Sequence, residues 1–80
     1  MRLDKWLKVS RLIKRRTVAQ EACDSGHVSV DGRVAKPSTE VKEGSVVEIR
    51  FGAKTLRAEV LSVQETVRKD DAAAMYRELA

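Results

Sequence analysis

The apolar residues change rhythm along the chain. Leu3, Trp6 and Leu7 stand at i, i+3 and i+4, the spacing of an amphipathic helix. At about 100° per residue, Lys5 and Lys8 fall on the opposite face. Arg2 precedes that face and Arg11 follows it, giving a basic ribbon, and Asp4 sits where a helix dipole favours an acid. Leu12 and Ile13 form an apolar pair expected to plug a charged elbow, residues 14–16, into the core. A second helix is expected from Thr17, where Thr17 and Gln20 fit a capping box. Val18, Ala19, Ala22 and Cys23 line one of its faces, and Gly26 is placed to end it.

From His27 the period shortens to two. Val28 and Val30 alternate with polar residues, and Asp31-Gly32 is a type I′ turn signal, so 27–34 reads as a tight hairpin. Pro37-Ser38-Thr39 breaks the chain into a loop. Val47, Ile49 and Phe51 alternate with Glu48 and Arg50 as a half-buried strand. Gly52-Ala53-Lys54 reads as a hairpin loop, and Leu56, Ala58 and Val60 alternate on a return strand expected to run to about Val63. Asp70 or Asp71 is placed to cap a last helix over 72–79, with Ala72, Met75, Tyr76 and Leu79 as its packing stripe. The order α-α-β-β-β-β-α predicts an α+β fold. A helix-turn-helix-like corner at the N-terminus packs on a small, mainly antiparallel sheet, with a short C-terminal helix.

Composition narrows the class without naming a function. Eighty residues suit one small domain, 1–80. With 42% hydrophobic and 35% charged residues the chain reads as soluble and globular. No apolar run approaches the roughly 18–20 residues that span a bilayer. Charges at Arg2, Asp4, Lys5 and Lys8 interrupt any signal-peptide core, so the expected location is the cytosol. Cys23 has no partner and lies in an apolar phase, which favours a buried, inert thiol over a nucleophile. With one Cys and one His, His27, there is no metal quartet, and no cofactor is expected. There is no Gly-rich phosphate loop and no nucleophile elbow. Helix capping explains Asp70-Asp71 better than catalysis does, so a non-enzymatic protein is expected.

Charge changes the picture most. The first sixteen residues hold Arg2, Lys5, Lys8, Arg11, Lys14, Arg15 and Arg16 against Asp4 alone, a net charge of +6, and the other sixty-four carry −2. A solvated helix face is the ordinary explanation for surface charge. This cluster barely alternates in sign, however, and it runs through a helix, a turn and the start of a second helix. Such like charges repel unless a polyanion compensates them, so a nucleic acid is the expected partner. Trp6 lies on the apolar face, Phe51 in strand phase and Tyr76 on the packing stripe, which leaves no platform for stacking bases. Few Asn or Gln residues are available to read base edges. Phosphate contact by a shaped surface remains, which suits structured RNA better than sequence-specific DNA. Arg2, Arg11, Arg15 and Arg16 are expected to fork to phosphate oxygens, and Lys5, Lys8 and Lys14 to add point charges. Trp6, Leu12, Ile13 and Val18 would stiffen the corner by packing on the sheet. Arg33, Lys36 and Lys54 are candidates for a second contact.

Several stretches resemble one family in order and spacing. They are Arg2-Leu3-Asp4-Lys5-Trp6-Leu7, Arg11, Lys14-Arg15-Arg16-Thr17-Val18-Ala19, Gly26-His27-Val28-Ser29-Val30-Asp31-Gly32, Lys36-Pro37-Ser38 and Val41. Over roughly residues 1–50 the chain resembles the S-four RNA-binding domain, named for small-subunit ribosomal protein four. That family commonly has Asn at the position of Asp31, a change compatible with the same turn. Among stand-alone members, the chain looks closest to the ribosome-associated quality-control branch, with a fifteen-kilodalton heat-shock branch as its relative. The resemblance implies a factor that binds the large ribosomal subunit through its rRNA and stabilises P-site tRNA on subunits obstructed by peptidyl-tRNA. It also implies work alongside a tailing factor that delivers alanyl-tRNA for C-terminal alanine tailing of stalled chains. No membrane partner is implied, and off the ribosome a monomer is expected. The alternative is a heat-shock or rRNA-maturation factor that binds large subunits without a tailing role.

Overall fold

A computed structural model describes residues 1–65 and 68–79 of the chain. Two short helices, α1 (Leu3–Val9) and α2 (Arg16–Asp24), precede the strands β1 (Val28–Val30), β2 (Arg33–Val34), β3 (Val46–Phe51) and β4 (Lys54–Val60). A 3₁₀ turn over Lys69–Met75 then leads into β5 (Tyr76–Leu79). The five strands form one antiparallel sheet in the order β2-β1-β3-β4-β5. This is the α+β arrangement expected from the sequence.

A seven-residue helix is too short to hold itself in water, and α1 is held from outside. It has no side-chain cap. Its first free donors are taken by the 37–41 loop instead: the Leu3 N–H donates to the Thr39 carbonyl (2.8 Å) and the Asp4 N–H to that of Pro37 (3.1 Å). Leu3, Trp6 and Leu7 are completely buried. They pack with Ala19 and Cys23 of α2 and with Val28, Val47, Ile49 and Val60 from one face of the sheet. The Trp6 indole N–H donates to the Ser62 carbonyl (3.0 Å), so the segment after β4 is strapped across α1 and the buried ring keeps a polar partner. Ile13 is buried as expected. Leu12 is half-buried, and Val18, expected in the packing, is 46% exposed.

The capping box at Thr17 does not form. Helix α2 starts two residues earlier than that cap implies, at Arg16, with Arg15 as an extended N-cap that makes no side-chain cap bond. Gln20 reaches a buried carboxylate instead, as described below. The far end follows the sequence: Gly26, at φ 76°, lets the His27 N–H reach the Ala22 carbonyl (2.9 Å) and its own N–H that of Cys23 (3.0 Å), a Schellman ending. Asp31 (φ 51°) and Gly32 (φ 84°) make the expected tight turn between β1 and β2. The Asp31 carboxylate also accepts the Val46 N–H at 2.9 Å, tying the turn to β3.

The C-terminal segment differs most from the periodic reading. Ala72 and Met75 are buried, but within the 3₁₀ turn, which ends at Met75. Residues Tyr76–Leu79 then pair with β4, Val60 opposite Tyr76 and Arg57 opposite Leu79. The apolar spacing of 72–79 fitted a helix on its own. The open edge of β4, however, offers backbone partners that an isolated two-turn helix cannot match. β4 itself stops at Val60 rather than Val63.

Candidate nucleic-acid interface

Every one of the seven cations singled out by the sequence lies in or beside the α1–α2 corner. At its centre is the one acid among them. The Asp4 side chain is completely buried, while those of Arg2 and Arg16 are 52% and 42% exposed. Arg2 forks onto Asp4, Nε to Oδ1 at 3.3 Å and Nη2 to Oδ2 at 3.4 Å. Arg16 donates its Nε to Oδ2 at 3.2 Å, and the Gln20 amide donates to the same oxygen at 2.9 Å. The Lys5 backbone N–H completes the set at 2.8 Å from Oδ1. A carboxylate taken out of water needs such partners, and here they come from both helices. One side chain thus fixes the angle of the corner and the pose of two arginines.

Burial by itself would push the Asp4 carboxyl up. The hydrogen bonds from Gln20, Arg16 and the Lys5 backbone, with the Arg16 charge, outweigh it and hold the group below its ordinary value. Asp4 is therefore ionised at neutral pH. Each arginine spends Nε on it, and among the described residues both terminal nitrogens of Arg16 are free of hydrogen bonds. That planar pair has the fork geometry suited to a phosphate, on a side chain 42% exposed.

The other cations are arranged around this clamp. Lys8, Arg11, Lys14 and Arg15 are exposed, and none makes an ion pair among the described residues. Lys5 differs: it lies 3.6 Å from Glu65 and is partly neutralised. Arg11 ends α1 in the left-handed region, at φ 63°. A residue with a Cβ is costly there, and glycine is usual. The sequence reading gave Asp4 a dipole role and missed the clamp. The available signal was its solitude, one acid amid seven bases, with Gln20 one turn into the next helix.

Arg33, Lys36 and Lys54 are not brought together. Arg33 lies on the edge strand β2, and β1 and β3 separate that strand from β4, where Lys54 lies. Cys23 is buried, and its thiol is pushed up to about 11, by burial first and then by the charges of Asp4 and Asp24. It stays protonated at neutral pH, as an inert core residue should.

The comparisons with known proteins agree with the motif reading. Residues 1–47 match the S4 domain. The chain is 58% identical over 76 residues to the RQC P-site tRNA stabilizing factor of Halalkalibacterium halodurans, covering 95% of this chain and 86% of that protein. It is 57% identical to the factor of the same name from Streptococcus pneumoniae, with the same coverage. The trimeric structure of Vibrio cholerae Heat Shock Protein 15 superposes with a TM-score of 0.91 at 33% identity, covering 100% of this chain and 82% of that one. Fold, corner and similarity agree: the chain belongs to the S4-domain family, with the RQC P-site tRNA stabilizing factors.

Proposed function

We propose that this chain is a non-enzymatic RNA-binding factor of ribosome-associated quality control. It binds large-subunit rRNA on obstructed large ribosomal subunits and steadies the P-site tRNA there while stalled chains receive C-terminal alanine tails. Arg2, Lys5, Lys8, Arg11, Lys14, Arg15 and Arg16 form the grip. The whole chain acts as one S4-type unit in the cytoplasm, a monomer when off the ribosome. The tailing factor that delivers alanyl-tRNA works beside it.

One observation carries this reading: a buried carboxylate holds Arg2, the N-cap of α1, and Arg16, the first residue of α2, in a corner whose other cations mostly make no ion pair among the described residues. Preorganised arginines lose little conformational freedom when they meet phosphates. Holding a tRNA against rRNA calls for that rigidity and needs no bond-making chemistry. The names of the relatives, with identities above 50%, support the same step.

The test is co-sedimentation with large subunits that carry P-site tRNA and with empty ones. The expected result is stronger binding to the obstructed subunits, lost when Arg16→Glu reverses the clamped charge. Equal binding to both kinds of subunit, with the variant still bound, would sink the reading. The likeness to Heat Shock Protein 15 favours a second reading, a heat-shock or maturation factor. Equal binding that is lost in the variant is the result that selects it.

A further inference from the structure

The sequence phase of Phe51 points inward, yet its side chain is 50% exposed. The register explains why. The last inward pair of β3 and β4 that packs with the core is Ile49 opposite Leu56. Phe51 opposite Lys54 lies two residues further out and closes the loop Gly52-Ala53, with Gly52 at φ 57°. There the hairpin outruns the helices.

The surroundings of Phe51 are cationic. Lys54 stands opposite it on the same face and Arg50 precedes it on the other face, and neither makes an ion pair among the described residues. The next acid along β3, Glu48, is occupied by Arg57 at 3.4 Å. Arg50 is held in place: its backbone N–H donates to the His27 carbonyl (2.8 Å) and its Nη2 to that of Gly26 (3.3 Å). That anchor is just past the C-terminal end of α2, whereas the Asp4 clamp grips Arg16 at the N-terminal end. The nine residues of α2 put its two ends roughly 13 Å apart.

We infer that the tip of the β3–β4 hairpin is a second nucleic-acid contact, which takes unpaired bases of single-stranded RNA. Phe51 offers a face for one base to stack on, Lys54 on the same face meets the adjoining phosphate, and Arg50 adds positive charge from the opposite face of the hairpin. An exposed aromatic ring beside cations is the combination single strands require, because every base has a stacking face and every linkage a charge. The inference rests on the proposed role in holding two RNAs together. It adds that the two contacts differ in kind: shaped phosphate binding at the corner and base stacking at the tip.

NMR titration of the ¹⁵N-labelled chain separates the two contacts, using a uridine hexanucleotide and a short RNA duplex as probes. The hexanucleotide is expected to move the amide signals of His27 and of residues 50–54, and the duplex those of Arg2 and residues 14–17. Phe51→Ala should weaken hexanucleotide binding about tenfold, and Lys54→Glu should weaken it by a similar factor. Spectra unchanged away from the tip show that each variant folds. If the hexanucleotide moves only the corner signals, or if both variants bind it as the parent chain does, the tip is not a site. If the tip responds while the duplex leaves the corner unmoved, the second contact stands and the corner reading falls.

Discussion

Arginine does opposite work in two regions of this molecule. On the open face of the sheet, Arg57 pairs with Glu48 at 3.4 Å and Arg77 with Glu59, each across neighbouring strands. Those charges neutralise each other in solvent. At the α1–α2 corner one buried carboxylate holds Arg2 and Arg16 from behind, and Lys8, Arg11, Lys14 and Arg15 stand exposed with no ion pair among the described residues. Cross-strand pairing leaves the sheet face little to offer a polyanion. Partial pairing at the corner keeps both arginines in position and, among the described residues, leaves the two terminal nitrogens of Arg16 free of hydrogen bonds. Counting cations would not distinguish the regions; what matters is where each acid sits.

The largest expected effect comes from the exposed elbow. Lys14→Glu with Arg15→Glu reverses two charges without touching the core. It should weaken binding to large subunits by about 100-fold, whereas Arg57→Ala should change it by less than about twofold. Filter binding across a salt series checks the cause. About five phosphate contacts give a log–log slope of roughly −3.5 to −4.5, and the elbow variant should lower its magnitude by about two contacts' worth. A slope that stays the same in the variant would mean that the elbow does not meet phosphates.

Next in size is the clamp. Asp4→Asn keeps the shape but removes the charge that two arginines and Gln20 share. The arginines are half exposed and recover part of their hydration, so the expected loss is about 2 kcal/mol in urea unfolding. The pH dependence carries a clear sign. The folded carboxyl lies below its unfolded value, which is about 3.9. Its stabilisation is therefore fully present above about pH 4 and fades as pH falls through the folded value. Asp4→Asn should flatten that part of the acid limb. An unchanged acid limb would assign it to other carboxylates.

A smaller effect sets stability against binding at one residue. Arg11 holds a left-handed backbone at φ 63°, so Arg11→Gly should stabilise the fold by about 1 kcal/mol while weakening RNA binding several-fold. Thermal melts and the same filter assay read both. Smallest of all, Arg57→Ala removes an exposed cross-strand pair and should cost roughly 0–1 kcal/mol. A larger cost there than at Asp4 would reverse the contrast between the two regions.

The sequence carried much of this fold, for physical reasons that differ by element. Leu3, Trp6 and Leu7 kept their helical phase because all three are fully buried, and burial is what periodicity reports. Asp31-Gly32 fixed its turn because both residues need positive φ, which few residues tolerate. Tyr76–Leu79 was misread because a strand there depends on the edge of β4, a partner remote in sequence. Phe51 was placed inward because alternation specifies a face of the sheet but cannot say where the helices stop covering it. At the candidate interface the residue types were legible from charge alone. The clamp was not, because Gln20 fits a local capping rule with Thr17 as well as it serves a distant carboxylate. Only the packing of α1 on α2 decides which bond Gln20 makes.

Crosslink mapping on large subunits carrying P-site tRNA tests the central claim most directly. Photoreactive residues are placed one at a time at positions 8, 14 and 15 in the corner and at positions 48, 59 and 77 on the open sheet face. A corner that grips RNA yields rRNA and tRNA crosslinks from 8, 14 and 15 and little from the sheet face. Crosslinks concentrated at 48, 59 and 77, with the corner silent, would contradict it.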